Sequence, residues 1–222
     1  MSKVSIITPH PDDETLGCGG TILKHKADGD SIHWLIISGM TEKQGFSPQL
    51  IHKRQEEIES VARIYGFEKV HNLNLPTTRL DEIPLRDIIT AISNIFLEVK
   101  PNIVYLPNRS DVHSDHKIVF QTTWSCCKTF RFPFIRRVLM YEILSETDFV
   151  PALPETAFFP NIFSDISPYL DRKIEIMREY SGEMREHPFP RSEQNIRSLA
   201  TVRGATANVE YAEAFMLLRE VF

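Results

Sequence analysis

Segments of two kinds alternate along the first 130 residues of the chain, and this alternation limits the folds it can adopt. Four short segments rich in apolar and β-branched residues are typical of strands. Each is followed by a longer segment with apolar residues three or four positions apart, which is typical of a helix. The strand-like segments are VSIIT, SIHWLIISG, KVHNLNL and PNIVYLP. Such repeats predict parallel strands with helices on both faces. We therefore expect an α/β fold with a mostly parallel central sheet.

The remainder of the chain is less regular, but it still shows recognisable elements. The helix after the fourth strand is predicted over HKIVFQTTWSCCKTF, and RRVLMYEIL predicts a fifth strand. FFPNIFSDIS is expected to be extended or looped, PYLDRKIEIMREYSGEM and RSEQNIRSLATVRGATA to be helices, and AFMLLREVF to close the chain as an apolar segment. No repeat, low-complexity tract or linker divides the chain, so residues 1–222 are predicted to form a single domain.

Composition excludes several classes of function. A net charge of −5 gives no basic footprint for nucleic acid, and no apolar run approaches the length of a membrane span. No G-x-G-x-x-G or P-loop spacing is present, so no nucleotide cofactor is expected. The three cysteines lack the spacing of a disulfide framework, and acidic residues come too early for a signal peptide. These features predict a cytoplasmic protein.

Two polar clusters follow the first and fourth predicted strands, namely PHPDDE and NRSDVHSDH. In the strand order 3-2-1-4 these strands are neighbours, and ligands of open α/β sheets bind beyond the carboxyl ends of such strands. The clusters together offer imidazole and carboxylate, the ligands of a borderline metal such as zinc. The candidate residues are His10, Asp13, His113 and His116. Taken singly, the acidic run also suits a solvated helix N-terminus, and the two histidines suit one exposed helical turn.

Taken with GCGGTI after the first cluster, PHPDDE and HSDH resemble the family of metal-dependent de-N-acetylases, which includes LmbE-like proteins and GlcNAc-phosphatidylinositol de-N-acetylase. Pro9 replaces the usual alanine of the first motif. RQEEIESVARIYG and RGATANVEYAEAF resemble two further family segments, so the likeness extends from Val4 to Phe215. It implies a Rossmann-like three-layer α/β sandwich and one catalytic domain.

The resemblance also implies a role for each residue of the two clusters. The metal ligands would be His10, Asp13 and His116. Asp12 would be the general base, and His113 would stabilise the oxyanion or protonate the amine. Asp115 would orient His113, and Arg54 would contact the substrate.

The activity expected from these residues is that of a zinc-dependent hydrolase. It would remove an N-acetyl (N-acyl) group from an amino sugar, a GlcNAc carried on a larger molecule, by metal-activated water with an aspartate base. Fe²⁺ is the alternative metal, because two histidines and one carboxylate also form a facial triad. A phosphoesterase with two metals and a non-catalytic carbohydrate-binding protein are the competing hypotheses. A homo-oligomer is compatible with the sequence.

Three features outside the set of proposed metal ligands are the glycines of the first helix, Glu14 and the segments that would choose the substrate. Gly17, Gly19 and Gly20 are expected to allow tight packing of a helix on the sheet rather than close approach of a ligand. Glu14 has no assigned role beyond beginning that helix. Substrate choice is expected to lie in the loop Thr41–Ser47 and in the region Pro133–Pro168, and neither segment carries a recognisable motif.

Overall fold

A computed structural model describes residues 1–222 and contains one seven-stranded sheet. The strands are β1 (Lys3–Thr8), β2 (Ser31–Gly39), β3 (Lys69–Pro76), β4 (Ile103–Pro107), β5 (Arg137–Tyr141), β6 (Ile162–Asp165) and β7 (Ala212–Glu220). Their order in the sheet is β3-β2-β1-β4-β5-β7-β6. The first five of these pair in parallel, whereas β7 is antiparallel to both β5 and β6. The predicted order 3-2-1-4 is confirmed.

Six helices cover the sheet in two layers. They are α1 (Asp13–Ala27), α2 (Pro48–Tyr65), α3 (Leu85–Val99), α4 (Ser114–Ser125), α5 (Leu170–Met177) and α6 (Glu193–Ala207). One apolar core lies between the sheet and α1, α2, α5 and α6, and the other lies between the sheet and α3 and α4. Side chains alternate between the two cores along each central strand, so Ile6 enters the first and Ile7 the second. The expected three-layer α/β sandwich is confirmed.

Three glycines let helix α1 pack closely against its neighbours. A Cβ atom on Gly17 would lie 2.3 Å from the ring of Tyr141, and one on Gly20 would lie 2.6 Å from the side chain of Ile166. Real Cβ atoms do not approach so closely, so Gly17 lets α1 pack tightly on strand β5. A Cβ on Gly19 would instead meet Tyr65 of α2 and Lys173 of α5. Ile166 lies just after β6, so tight packing on the sheet itself is seen at Gly17.

Two helices of the second half end earlier than the sequence predicts. The helix predicted over PYLDRKIEIMREYSGEM is α5, which ends at Met177 rather than at Met184. The fourth helix ends at Ser125 rather than continuing to Phe130, because Cys126 and Cys127 close it and enter the core with Phe132 and Ile135. The final apolar segment is a central strand, β7, since it pairs with strands on both sides. None of the helices combines the length and apolar character that crossing a membrane requires.

Candidate metal centre and catalytic site

The two polar clusters meet at the carboxyl ends of β1 and β4, which pair directly in the sheet. His10 and Asp12 lie in the turn that joins β1 to α1, and Asp13 is the first residue of that helix. His113 is the N-cap of α4, and His116 lies in the first turn of this helix. The topology therefore brings together side chains that are about a hundred residues apart.

Three ligand atoms form a nearly equilateral triangle at this point. The Nδ1 atom of His10 and the Nε2 atom of His116 each lie 3.5 Å from Oδ2 of Asp13, and they lie 3.4 Å from each other. All three atoms accept rather than donate hydrogen bonds when the imidazoles are neutral with their protons on the opposite nitrogens. Three acceptors that converge in this way form a site that attracts a cation.

Each of the two imidazoles is held from behind by a buried carboxylate. Nε2 of His10 lies 3.1 Å from Oδ2 of Asp115, and Nδ1 of His116 lies 2.9 Å from Oδ2 of Asp111. Such a contact places the proton on the outer nitrogen, so the inner nitrogen presents its lone pair to the centre of the triangle. Burial lowers the pKa of His10, but hydrogen bonds to Asp115 and Asp13 outweigh it and raise this pKa to about 10. The cluster therefore favours positive charge.

Asp111 is a residue that sequence reasoning missed. It lies within the second polar cluster, five positions before His116, but nothing in the spacing distinguishes it from the other acids there. Its second oxygen accepts a hydrogen bond of 2.6 Å from the hydroxyl of Thr147, which follows β5. That partner comes from a distant loop, so only the folded chain identifies the role of Asp111.

The prediction that the Asp115 carboxylate orients the His113 ring is wrong. Besides its contact with His10, this carboxylate accepts hydrogen bonds from the backbone N–H groups of Thr78 and Leu80, which come from the loop after β3. His113 is instead oriented by the backbone of Asp115, whose N–H donates to its Nδ1 atom over 3.1 Å. The physical reason is that His113 caps α4, so its ring turns back on the first free N–H groups of the helix.

This contact also determines the protonation of His113. Because Nδ1 accepts a hydrogen bond, the proton of the neutral ring lies on Nε2, which makes Nε2 a donor. Burial and the nearby charges of His10 and His116 lower the pKa of His113 to about 4. His113 is therefore neutral at pH 7, and it lines the cavity beside the metal-ligand triangle.

Asp12 lies next to the triangle, but neither triangle histidine hydrogen-bonds to its carboxylate. Its backbone has φ 130° and ψ −29°, a conformation that costs a residue with a side chain about 1–3 kcal/mol. Burial and the adjacent carboxylates of Asp13 and Glu183 raise the pKa of Asp12 well above its usual range. The closest cation is Arg191, whose Nη1 atom lies 3.7 Å from Oδ2 of Asp12.

Glu14 supports the strained turn at Asp12. Its Oε2 atom accepts the backbone N–H of Asp12 over 3.0 Å, and its Oε1 atom accepts the hydroxyls of Thr15 and Tyr180 over 2.6 Å each. Burial raises the pKa of Glu14 to about 7. Glu14 lies in the first turn of α1, as the sequence suggests, and it also ties Asp12 to the core.

Arg54 lines the cavity, and contacts with neighbouring residues hold its guanidinium in place. Its guanidinium lies 2.7 Å from Glu183 and 3.3 Å from Glu57, and it donates to the carbonyl of Pro11 over 3.4 Å. Glu183 also pairs with Arg191 at 2.9 Å. The two arginines thus form one network around Glu183. Glu183 and Arg191 come from the segment between α5 and α6, which carries no recognisable motif, so sequence reasoning missed both.

These residues surround a cavity of about 260 Å³. Of the 21 residues that line it, four are hydrophobic, so the cavity suits a polar ligand. Two segments are predicted to determine substrate choice. Residues 133–168 contribute Ile143, Ser145 and Glu146 to the lining of the cavity, whereas no residue of the loop 41–47 lines it. The strand end just before that loop, from Ser38 to Met40, lines it instead.

The sequence profile of the PIG-L family, described as GlcNAc-PI de-N-acetylase, matches residues 5–127, which is more than half of the chain. The chain belongs to this family. The matched residues include most of β1, all of β4 and all of α4, and hence both polar clusters. The family resemblance in the sequence is thereby confirmed.

Comparison with individual proteins extends the similarity along the whole chain. A diacetylchitobiose deacetylase from Thermococcus kodakarensis is 25% identical over 233 residues, which cover 100% of this chain and 85% of that protein. The structure of the N,N'-diacetylchitobiose deacetylase from Pyrococcus horikoshii has a TM-score of 0.79 at 22% identity and covers 98% and 84% of the two chains. The 4-carboxy-2-hydroxymuconate hydratase from Pseudomonas putida KT2440 has a TM-score of 0.75 at 19% identity and covers 100% and 98%. The PIG-L fold therefore occurs with more than one chemistry, so activity must be argued from the site.

Proposed function

We propose that this protein is a zinc-dependent de-N-acetylase that hydrolyses the acetamide of an amino sugar, a GlcNAc conjugate. The observation that carries the proposal is the pairing of a three-ligand triangle with a separate buried carboxylate, that of Asp12. The matched family profile and the diacetylchitobiose deacetylase similar over the full chain support the same activity.

The dimensions of the triangle support zinc as its occupant. A tetrahedral ion with bonds of about 2.1 Å separates its ligand atoms by about 3.4 Å. The facial positions of an octahedral ion with bonds of that length are only about 3.0 Å apart. The observed separations of 3.4 and 3.5 Å match the tetrahedral case. When bound, zinc would lower the pKa of a water molecule and polarise the acetyl carbonyl.

Asp12 would move the proton that amide hydrolysis requires. Its carboxylate would accept a proton from the attacking water and return it to the nitrogen of the departing amine, so one residue serves both halves of the reaction. Its raised pKa reflects burial and neighbouring acids, and a bound cation opposes that shift by favouring the carboxylate. The strained turn at Asp12 is held by Glu14, which accepts the backbone N–H of Asp12.

His113 would stabilise the carbonyl oxygen as negative charge develops on it. Its Nε2–H is a donor whose orientation is fixed by the hydrogen bond at Nδ1. With a pKa of about 4, the ring carries no extra proton at pH 7, so it is assigned as a hydrogen-bond donor rather than as the acid that protonates the amine.

The surroundings of the triangle count against a two-metal phosphoesterase. His10, His113 and Asp115 form a second group of ligand atoms within 4.8 Å of one another, but this group shares His10 with the first. Its carboxylate is already occupied by His10 and two backbone N–H groups. A hydrogen-bond network that holds the first group explains these contacts without a second ion.

The proposal is tested by acetate release from a panel of N-acetylated substrates: chitooligosaccharides, sugar–thiol precursors, nucleotide sugars and glycolipids. Zinc-loaded protein is expected to release acetate from at least one GlcNAc conjugate. Asp12→Asn should lower kcat by about 10²–10⁴ with zinc content unchanged. Absence of acetate from the whole panel would refute the proposed activity, and an unchanged kcat in Asp12→Asn would refute the role of the base.

A further inference from the structure

Strand β3 is irregular where it borders the cavity. Ile36 of β2 pairs with Asn72, but Ser38 pairs with Leu75, so two residues of β3 lie opposite the single residue between Ile36 and Ser38. Asn74 is one of these two residues of β3, and its φ is +50°. Irregularities of this kind beside active sites redirect a side chain. Here the redirected residue is Asn74, which lines the cavity.

The side chain of Asn74 is exposed at the cavity, and its amide has no hydrogen-bond partner within the protein. Its backbone N–H is used, since it donates to Oδ1 of Asn72 over 2.9 Å. Its own Oδ1 atom faces Gly39 so closely that a Cβ there would lie only 2.9 Å away. No hydrogen bond of the folded chain uses the Nδ2 donors. The absence of a side chain at Gly39 is therefore what allows this amide to occupy its position.

The wall that carries Asn74 differs chemically from the opposite one. Ser38, Asn72 and Thr77 line the cavity near it, and all are uncharged hydrogen-bonding residues. Elsewhere in the lining, Arg54 and Arg191 have their charges paired by Glu183. An uncharged amide donor with no partner in the protein suits a hydroxyl or ring oxygen of a sugar better than a charged group.

From these observations we infer that Asn74 is a specificity-determining residue that donates a hydrogen bond from Nδ2 to an oxygen of the sugar. The inference rests on the proposed function, because it assigns the sugar to the same cavity. Asparagine tolerates the left-handed conformation, so the backbone at Asn74 presents this donor where a glycine would present none.

The test compares Asn74→Gly with Asn208→Gly. Asn208 also has a left-handed backbone, with φ 58°, but it caps α6 and does not line the cavity. With N,N'-diacetylchitobiose as the probe, Asn74→Gly should raise KM and the calorimetric Kd by roughly tenfold, while kcat changes less than threefold. Asn208→Gly should leave all three values unchanged. Asn74→Asp, which also tolerates this backbone but lacks the donor, should not restore binding.

The outcomes separate this inference from the proposed activity. If the wild-type protein binds the disaccharide and Asn74→Gly binds it equally well, or if Asn74→Asp restores full affinity, the role of the amide is refuted. If the wild-type protein binds the sugar without releasing acetate, and Asn74→Gly weakens binding, the proposed activity fails but the assignment of Asn74 holds. A wild-type protein that neither binds nor hydrolyses the probe overturns the assignment for this sugar.

Discussion

Replacement of Asp111 tests whether the carboxylates behind the triangle act on the metal. Oδ2 of Asp111 lies 2.9 Å from Nδ1 of His116, and Oδ1 accepts the hydroxyl of Thr147 over 2.6 Å. Asp111 itself is fully buried. Asp111→Ala would leave the Nδ1–H of His116 without its acceptor and would free the ring to rotate. Loss of such a carboxylate typically weakens metal binding by about 10–100-fold.

The structure also predicts a graded series of effects. Asp111→Asn keeps an oxygen for the His116 ring but removes the charge, so we expect zinc to bind about tenfold more weakly. Thr147→Val removes the contact to the second oxygen of Asp111 and also the acceptor of the Ile143 backbone N–H, but it leaves the bond between Asp111 and His116 in place. Its effect on zinc affinity should therefore be smaller, below about fivefold.

Zinc affinity is measured by competition with a chromophoric chelator, and folding of each variant is checked by circular dichroism. At saturating zinc, kcat of Asp111→Ala should approach the wild-type value, because Asp111 does not line the cavity. If folded Asp111→Ala binds zinc within twofold of the wild-type protein, the argument that Asp111 orients a metal ligand is refuted.

Two further substitutions test the supports of the site. Glu14→Ala should lower kcat more than tenfold, because it removes the acceptor that holds the N–H of Asp12. Glu14→Gln keeps an acceptor and should retain most activity, so equal kcat values in the two variants would contradict this role. Gly17→Ala should reduce the free energy of unfolding by about 1–3 kcal/mol in urea titrations, because its Cβ would overlap the ring of Tyr141. A stability equal to that of the wild type would show that α1 can shift at no cost.

The sequence predicts the part of the site that local patterns encode. His10 and His116 follow strands that the apolar pattern identifies, and the rule that neighbouring parallel strands share an edge brings them together. The order of these strands and the three layers are confirmed. The tight packing of α1 was also predictable, since Gly17 and Gly20 lie on a short helix beside a buried strand.

What the sequence does not predict depends on contacts between distant segments. The Asp115 carboxylate bonds His10 and the loop after β3, although His113 is closer in sequence. Arg191 reaches Asp12 from the turn just before α6, and no motif marks it as a residue of the site. The irregular pairing that places Asn74 in the cavity arises from the register between β2 and β3. The sequence of either strand alone does not determine that register. These interactions are set by tertiary packing, which overrides local spacing.

A zinc titration of the metal-free protein, with acetate release as the readout, tests the proposed one-zinc site most directly. We expect the rate of acetate release from N,N'-diacetylchitobiose or another GlcNAc conjugate to rise linearly and to reach its plateau at one zinc ion per chain, because one triangle of ligand atoms holds one ion. A plateau at two ions per chain, or a rate that does not depend on zinc, would contradict it.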